Sequence, residues 1–285
     1  MRLAELVGIE ANDQVRACHA ALDPAAPPDY RELAALLACD WQMKQPHAVG
    51  LGGGQGAGKT TLSRLIESAC AHFDLRVCVL SLDDFYLQKA ERRLLAESVH
   101  PLLETRGPPG SHDMALCAKS LQALGRSGEI QLPVFDKGLD DRTGLRKRVG
   151  PFDLVILEGW CVGAQAVAEV ELDAPINSLE AEHDTHGTWR RFANQALAEQ
   201  YAPVWDGLEE MVFLCVPSLG AVRRWRLQQE QARPTERRMN GAQIERFVAH
   251  YERVTRAMIR DMPARADWFV TLDEAHRVAG LSTRS

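Results

Sequence analysis

No apolar run in the 285 residues approaches the ~18 residues that a membrane-spanning helix requires, which argues against a helical membrane protein. The opening Met1-Arg2-Leu3-Ala4-Glu5-Leu6 runs into acidic and polar residues, so it lacks the apolar segment of a secretory leader. Cysteine is present without a pattern. The seven are Cys18, Cys39, Cys70, Cys78, Cys117, Cys161 and Cys215, an odd number with no pair spaced C-x-x-C. They read as free buried thiols in a reducing cytoplasm, and the expected location is cytoplasmic. A basic excess is missing too. Lys+Arg number 33 against 39 Asp+Glu, a net charge of −6. That excludes bulk electrostatic affinity for nucleic acid or an anionic membrane, though not a local basic site. There is no basic stripe with interleaved aromatics, no internal repeat and no long low-complexity linker. His183-Asp184-Thr185-His186 has no further ligands nearby in sequence and reads as a polar loop, not a metal site.

What is present is an ordinary globular balance, with 46% apolar and 25% charged residues. A chain this long buries a full core without disulfide or metal staples. Residues 1–45 read as helices broken by Asp23-Pro24-Ala25-Ala26-Pro27-Pro28. Leu33, Leu36, Leu37 and Trp41 fall on one helix face. Buried-strand candidates are His47–Gly52, Val77–Leu82, Phe152–Leu157, Met211–Val216 and Trp268–Leu272. Helical stretches between them include Thr60–Phe73, Asp113–Leu124, Thr188–Gln200, Leu219–Gln231 and Ala242–Met262. Apolar strands alternating with helices predict a mostly parallel five-stranded sheet covered on both faces, an α/β fold.

Gly53-Gly54-Gln55-Gly56-Ala57-Gly58-Lys59-Thr60 fits G-x-x-x-x-G-K-[ST], and it follows a strand and opens a helix as a P-loop must. Glycines let backbone N–H groups converge on phosphate oxygens, and the helix N-terminus adds unpaired donors and a favourable dipole. Lys59 is expected at the β- and γ-phosphates of ATP, Thr60 at Mg²⁺ and Thr61 at the α-phosphate. Ser81-Leu82-Asp83-Asp84-Phe85-Tyr86 ends the second strand, at the sheet edge where ligands bind. A phosphoryl acceptor needs a carboxylate to take its hydroxyl proton. Asp83 is the candidate, with Asp84 as the alternative or as a partner of a metal-bound water. Phe152 to Gly159 resembles a Walker B strand ending in Glu158, which is costly to bury unless it meets a cation or hydrated Mg²⁺; a helix cap is the plainer reading.

Four stretches together resemble the plant-type D-glycerate 3-kinases and their bacterial relatives: Gly54 to Thr60, Ser81 to Leu87, His100 to Asp113, and Leu157-Glu158-Gly159-Trp160. More distantly they resemble uridine kinase, phosphoribulokinase and pantothenate kinase. The resemblance covers about residues 45–272. It implies a P-loop NTPase fold with N-terminal helices (1–45), a kinase domain (46–285) with acceptor-loop insertions, and a helical lid around 219–241. It supports Asp83 over Asp84 as the base. It suggests Arg106, His112 and Asp113 as groups for an acceptor bearing hydroxyls and a carboxylate, with Asp113 equally placed to cap the helix after it. Lys137 and Arg142 become candidates for the acceptor carboxylate or the transferring phosphate, unless they simply sit on a solvated loop. Arg224 and Arg226 resemble lid arginines, but i and i+2 lie on different helix faces, so one at most clamps phosphate. The stretch 233–241 reads as a mobile part of the lid. Asn177, Glu180, Asp184, Trp189 and Arg190 are expected to help wall the acceptor pocket. The implied activity is transfer of the γ-phosphate of ATP to a small hydroxy acid, D-glycerate first. Other small acceptors, or a nucleotide switch without transfer, are the alternatives.

Overall fold

The computed structural model describes residues 1–8, 12–231 and 238–284. Eight strands are formed among them: β1 (Ala48–Gly53), β2 (Val77–Ser81), β3 (Gly128–Asp136), β4 (Asp141–Gly150), β5 (Leu154–Gly159), β6 (Glu210–Cys215), β7 (Trp268–Leu272) and β8 (Val278–Thr283). The helices are α1 (Arg2–Leu6), α2 (Asp13–Ala21), α3 (Pro28–Lys44), α4 (Lys59–His72), α5 (Lys89–Ser98), α6 (Met114–Leu124), α7 (Ser178–His183), α8 (Thr188–Ala196), α9 (Ala202–Trp205), α10 (Leu219–Gln231) and α11 (Gly241–Asp261).

The main sheet runs β2-β5-β1-β6-β7-β8. The five strands expected from apolar runs are its parallel members, and β1 is buried along its whole length. Layers on both faces explain those runs, since a parallel sheet buried on both sides has no solvent face to alternate with. A sixth strand was not expected. β8 pairs antiparallel with β7 through a short turn. It has only two buried positions, Val278 and Leu281, which left no apolar run to read.

The hydrophobic core on one face unites Leu33, Leu37 and Trp41 of α3 with Val49, Leu62, Ile66 and Trp268. The core on the other face joins Leu80, Phe85, Leu157, Tyr201 and Phe213. Lys137 and Arg142, expected on an acceptor-side loop over residues 133–142, belong to a separate antiparallel hairpin of β3 and β4. Of the expected mobile lid stretch 233–241, residues 233–237 lie outside the described residues. No described helix is long and apolar enough to cross a membrane, and all seven cysteines are free and buried.

Candidate active site

The turn from β1 into α4 carries the glycine-rich loop. Gly56 and Gly58 take φ of +78° and +83°, where a side chain is strained. At Gly58 space forbids one as well, because a Cβ would come within 2.7 Å of the Tyr30 hydroxyl. Lys59 and Thr60 open α4, so their N–H groups belong to the unpaired first turn. The Lys59 ammonium is folded back onto the loop, donating to the Gly53 and Gly54 carbonyls at 2.8 and 3.1 Å. Burial lowers its pKa, opposed by the nearby charges of Glu158 and Asp83.

A cavity of about 270 Å³ opens beside the loop, and Lys59, Thr60, Asp83, Lys137, Glu158 and Arg226 all line it. Parallel pairing aligns Ser81 with Glu158 across β2 and β5, so the carboxylates at the two strand ends meet at one edge of the sheet. Asp83 follows Ser81 in a short 3₁₀ turn. Its carboxylate is ion-paired with Lys137 at 2.6 Å and accepts the Tyr86 hydroxyl proton at 2.8 Å. Burial pushes the Asp83 carboxyl up, but Lys137 and Tyr86 together outweigh it and hold the pKa below the ordinary value. Burial pushes Glu158 up, with Lys59 pulling the other way. Asp84 points elsewhere. It accepts the Phe135 N–H at 3.2 Å and faces Arg146 at 3.7 Å, so it anchors the hairpin.

The other expected residues divide. Arg106 lines the cavity, paired with Asp140 and lying over the Phe135 ring. Of the two arginines expected in a lid, Arg226 faces the cavity, with Glu230 at 2.7 Å and the Phe247 ring beneath it. Arg224 faces outward to Glu274. The structure does not bring Asp113 and Arg142 to the cavity. Asp113 caps α6, accepting from the Leu116 N–H at 3.0 Å. Arg142 bridges it to Glu91, at 3.3 and 3.1 Å. His112 also stands one layer behind. Its ring stacks on Tyr86 at 4.5 Å and its Nδ1 meets the Tyr201 hydroxyl at 2.6 Å. Among Asn177, Glu180, Asp184, Trp189 and Arg190, none lines the cavity. Glu180 pairs with Arg253 of α11, Asn177 donates to the Ala249 carbonyl, and Asp184 is buried against Arg190.

Sequence reasoning missed the groups that hold the wall in place. Trp160 donates to the Gly107 carbonyl at 3.1 Å, and the Tyr251 hydroxyl donates to the Arg106 carbonyl at 3.2 Å. Arg92, 1% exposed, ties the carbonyls of Leu87, Glu104 and Asp140 together. The only signal for the α11 contribution was the four-residue spacing of Phe247 and Tyr251 on one helix face.

A glycine-rich phosphate loop, with two strand-end carboxylates beside it and cations facing them, defines a P-loop phosphotransferase. The comparisons with known proteins agree. The chain is 32% identical over 222 residues to the uncharacterized kinase mug58 of Schizosaccharomyces pombe, covering 73% of this chain and 79% of that protein. It is 28% identical over 223 residues to the chloroplastic D-glycerate 3-kinase of Arabidopsis thaliana, covering 72% of this chain and 46% of the plant protein. It thus spans less than half the length of the plant enzyme. The solved D-glycerate 3-kinase of Cryptococcus neoformans superposes with a TM-score of 0.73 at 26% identity, covering 88% of this chain and 99% of that one. No protein-family model matches the sequence. The chain belongs to the family of P-loop kinases that contains D-glycerate 3-kinase, and is a phosphotransferase acting on an alcohol.

Proposed function

We propose that the protein transfers the γ-phosphoryl group of ATP to a hydroxyl of a small sugar acid, with D-glycerate as the first candidate. The observation that carries this reading is the position of Asp83, in one cavity with Lys59 and in contact with Lys137. A carboxylate beside the phosphate loop is placed to take a hydroxyl proton. The cations around it, Lys137 and Arg106, suit an acceptor that carries its own carboxylate. The names of the plant and fungal relatives point to the same acceptor.

In this reading residues 53–61 hold the ATP phosphates. Asp83 accepts the proton as the acceptor oxygen bonds to the γ-phosphorus and the bond to the β–γ bridging oxygen breaks. Lys59 and Arg226 face the charge on the transferring group. Thr60 and Glu158 supply hard oxygen donors at the cavity, and burial of Glu158 favours a cation beside it, so they fit a hydrated Mg²⁺. When bound, Mg²⁺ neutralises phosphate charge.

The test is ADP formation from MgATP across D-glycerate, related sugar acids, nucleosides and pantothenate, with the product identified by mass and position. Phosphoglycerate is the expected product, and Asp83→Asn is expected to lower its formation by ~10²–10⁴ while the protein stays folded. Undiminished transfer in that variant refutes Asp83 as the base. Turnover of another panel member in place of glycerate refutes the acceptor and leaves the mechanism standing. Tight ATP binding with no transfer to any acceptor favours a nucleotide switch.

A further inference from the structure

The phosphate loop is held from outside its own strand and helix. Tyr30 stands in the first turn of α3, and its hydroxyl donates to the Ala57 carbonyl at 2.9 Å. The side chain is 3% exposed, and burial pushes its pKa up, so it remains a protonated donor. The start of α3 is itself pinned, because the Asp29 carboxylate accepts the Val278 N–H of β8. Across the loop, Trp225 packs against Gly56, where a Cβ would come within 3.2 Å of its own, and His276 stacks on Trp225 at 3.9 Å. Pro27, Tyr30, Gly58, Thr61, Gln229 and His276 line a cavity of about 390 Å³ here. Residues far from the loop in sequence therefore grip it on both sides.

A trans peptide is planar, with its C=O and N–H on opposite edges. Fixing the Ala57 carbonyl toward Tyr30 turns the Gly58 N–H away from Tyr30, to the inside of the turn. Glycine at 58 gives that peptide unusual freedom to rotate, so an external anchor has something to restrain. A peptide rotated the other way presents a carbonyl oxygen to phosphate oxygens, which repel it. We propose that Tyr30 is a positioning residue of the nucleotide site: from the start of α3 it sets the loop's Gly58 N–H to face the β-phosphate. The inference rests on residues 53–61 being the phosphate site.

The test uses the full chain and its Tyr30→Phe variant, which removes one oxygen and keeps the ring. Binding of MgADP and of AMP is measured by calorimetry, with thermal unfolding of both proteins as a control. The variant is expected to bind MgADP about 3- to 10-fold more weakly, the effect of losing one net hydrogen bond. AMP, which has no β-phosphate, is expected to bind both proteins equally. Equal MgADP affinity in the two proteins overturns the positioning role, and so does an equal loss for MgADP and AMP, which marks general loosening. Failure of the unaltered chain to bind MgADP overturns the phosphate-site reading itself, an outcome distinct from either.

Discussion

Burial by itself raises the Asp83 carboxyl; the low pKa it has in the fold depends on Lys137 and Tyr86. Lys137 sits at the end of the hairpin, 61% exposed along its side chain, yet its ammonium reaches Asp83 at 2.6 Å. Removing that charge leaves the burial effect less opposed, so the Asp83 pKa rises. A base works only when deprotonated, so with Asp83 as the proposed base, activity is then lost at a higher pH on the acid side. The Lys137→Met variant is expected to show a kcat/KM profile whose acid limb is displaced upward relative to the unaltered protein. An acid limb in the same place refutes control of Asp83 by Lys137. Asp83 and Asp84 are adjacent in sequence and equal in chemistry. The 3₁₀ turn after β2 separates them, sending one to the cavity and the other to the Phe135 backbone.

The apolar runs that became parallel strands were legible because burial on both faces demands continuous hydrophobicity. The hairpin was not. β3 and β4 are largely exposed and pair with each other rather than with the sheet, and their few buried residues, Leu132, Pro133 and Phe135 among them, make no continuous apolar run. Reading 133–142 as a loop placed Arg142 near the acceptor, whereas its strand carries it to Asp113 and Glu91. Asp113 was legible in one of its two readings only. A short acceptor side chain before an amphipathic stretch is the sequence form of a helix cap, and the α6 cap is what forms. Asp113→Ala is therefore expected to cost about 1 kcal/mol of stability, read by denaturant unfolding, with the acceptor KM unchanged. A raised acceptor KM without loss of stability returns Asp113 to the acceptor.

At the scale of the whole molecule, two buried histidines couple the packing to pH. Burial lowers both His112 and His250 to about 4, from an ordinary 6.5. In the window between those values the unfolded chain binds a proton that the folded chain does not. Stability from these groups is thus fully present above about pH 6.5 and is lost progressively as pH falls toward 4. The melting temperature is expected to fall between about pH 7 and pH 5, and to fall less in His112→Gln, whose amide does not titrate. Equal pH slopes in the two proteins refute the assignment to His112. The same packing carries the site, since His112 backs Tyr86, which holds Asp83.

By itself the sequence determined the phosphate loop, the strand that feeds it, the helix that follows and the strand-end acids, because these depend on local spacing and on apolar continuity. It also allowed at most one of Arg224 and Arg226 to face the phosphate site, through helix periodicity alone. Only the tertiary structure decided which one. Arg226 faces the cavity, over the Phe247 ring of α11, while Arg224 turns to Glu274. It likewise brought Lys137, Arg106, Tyr251 and Tyr30 to a loop tens to hundreds of residues away. Such contacts arise from the packing of elements against one another, and a side chain's destination after that packing leaves no trace in its neighbours along the chain.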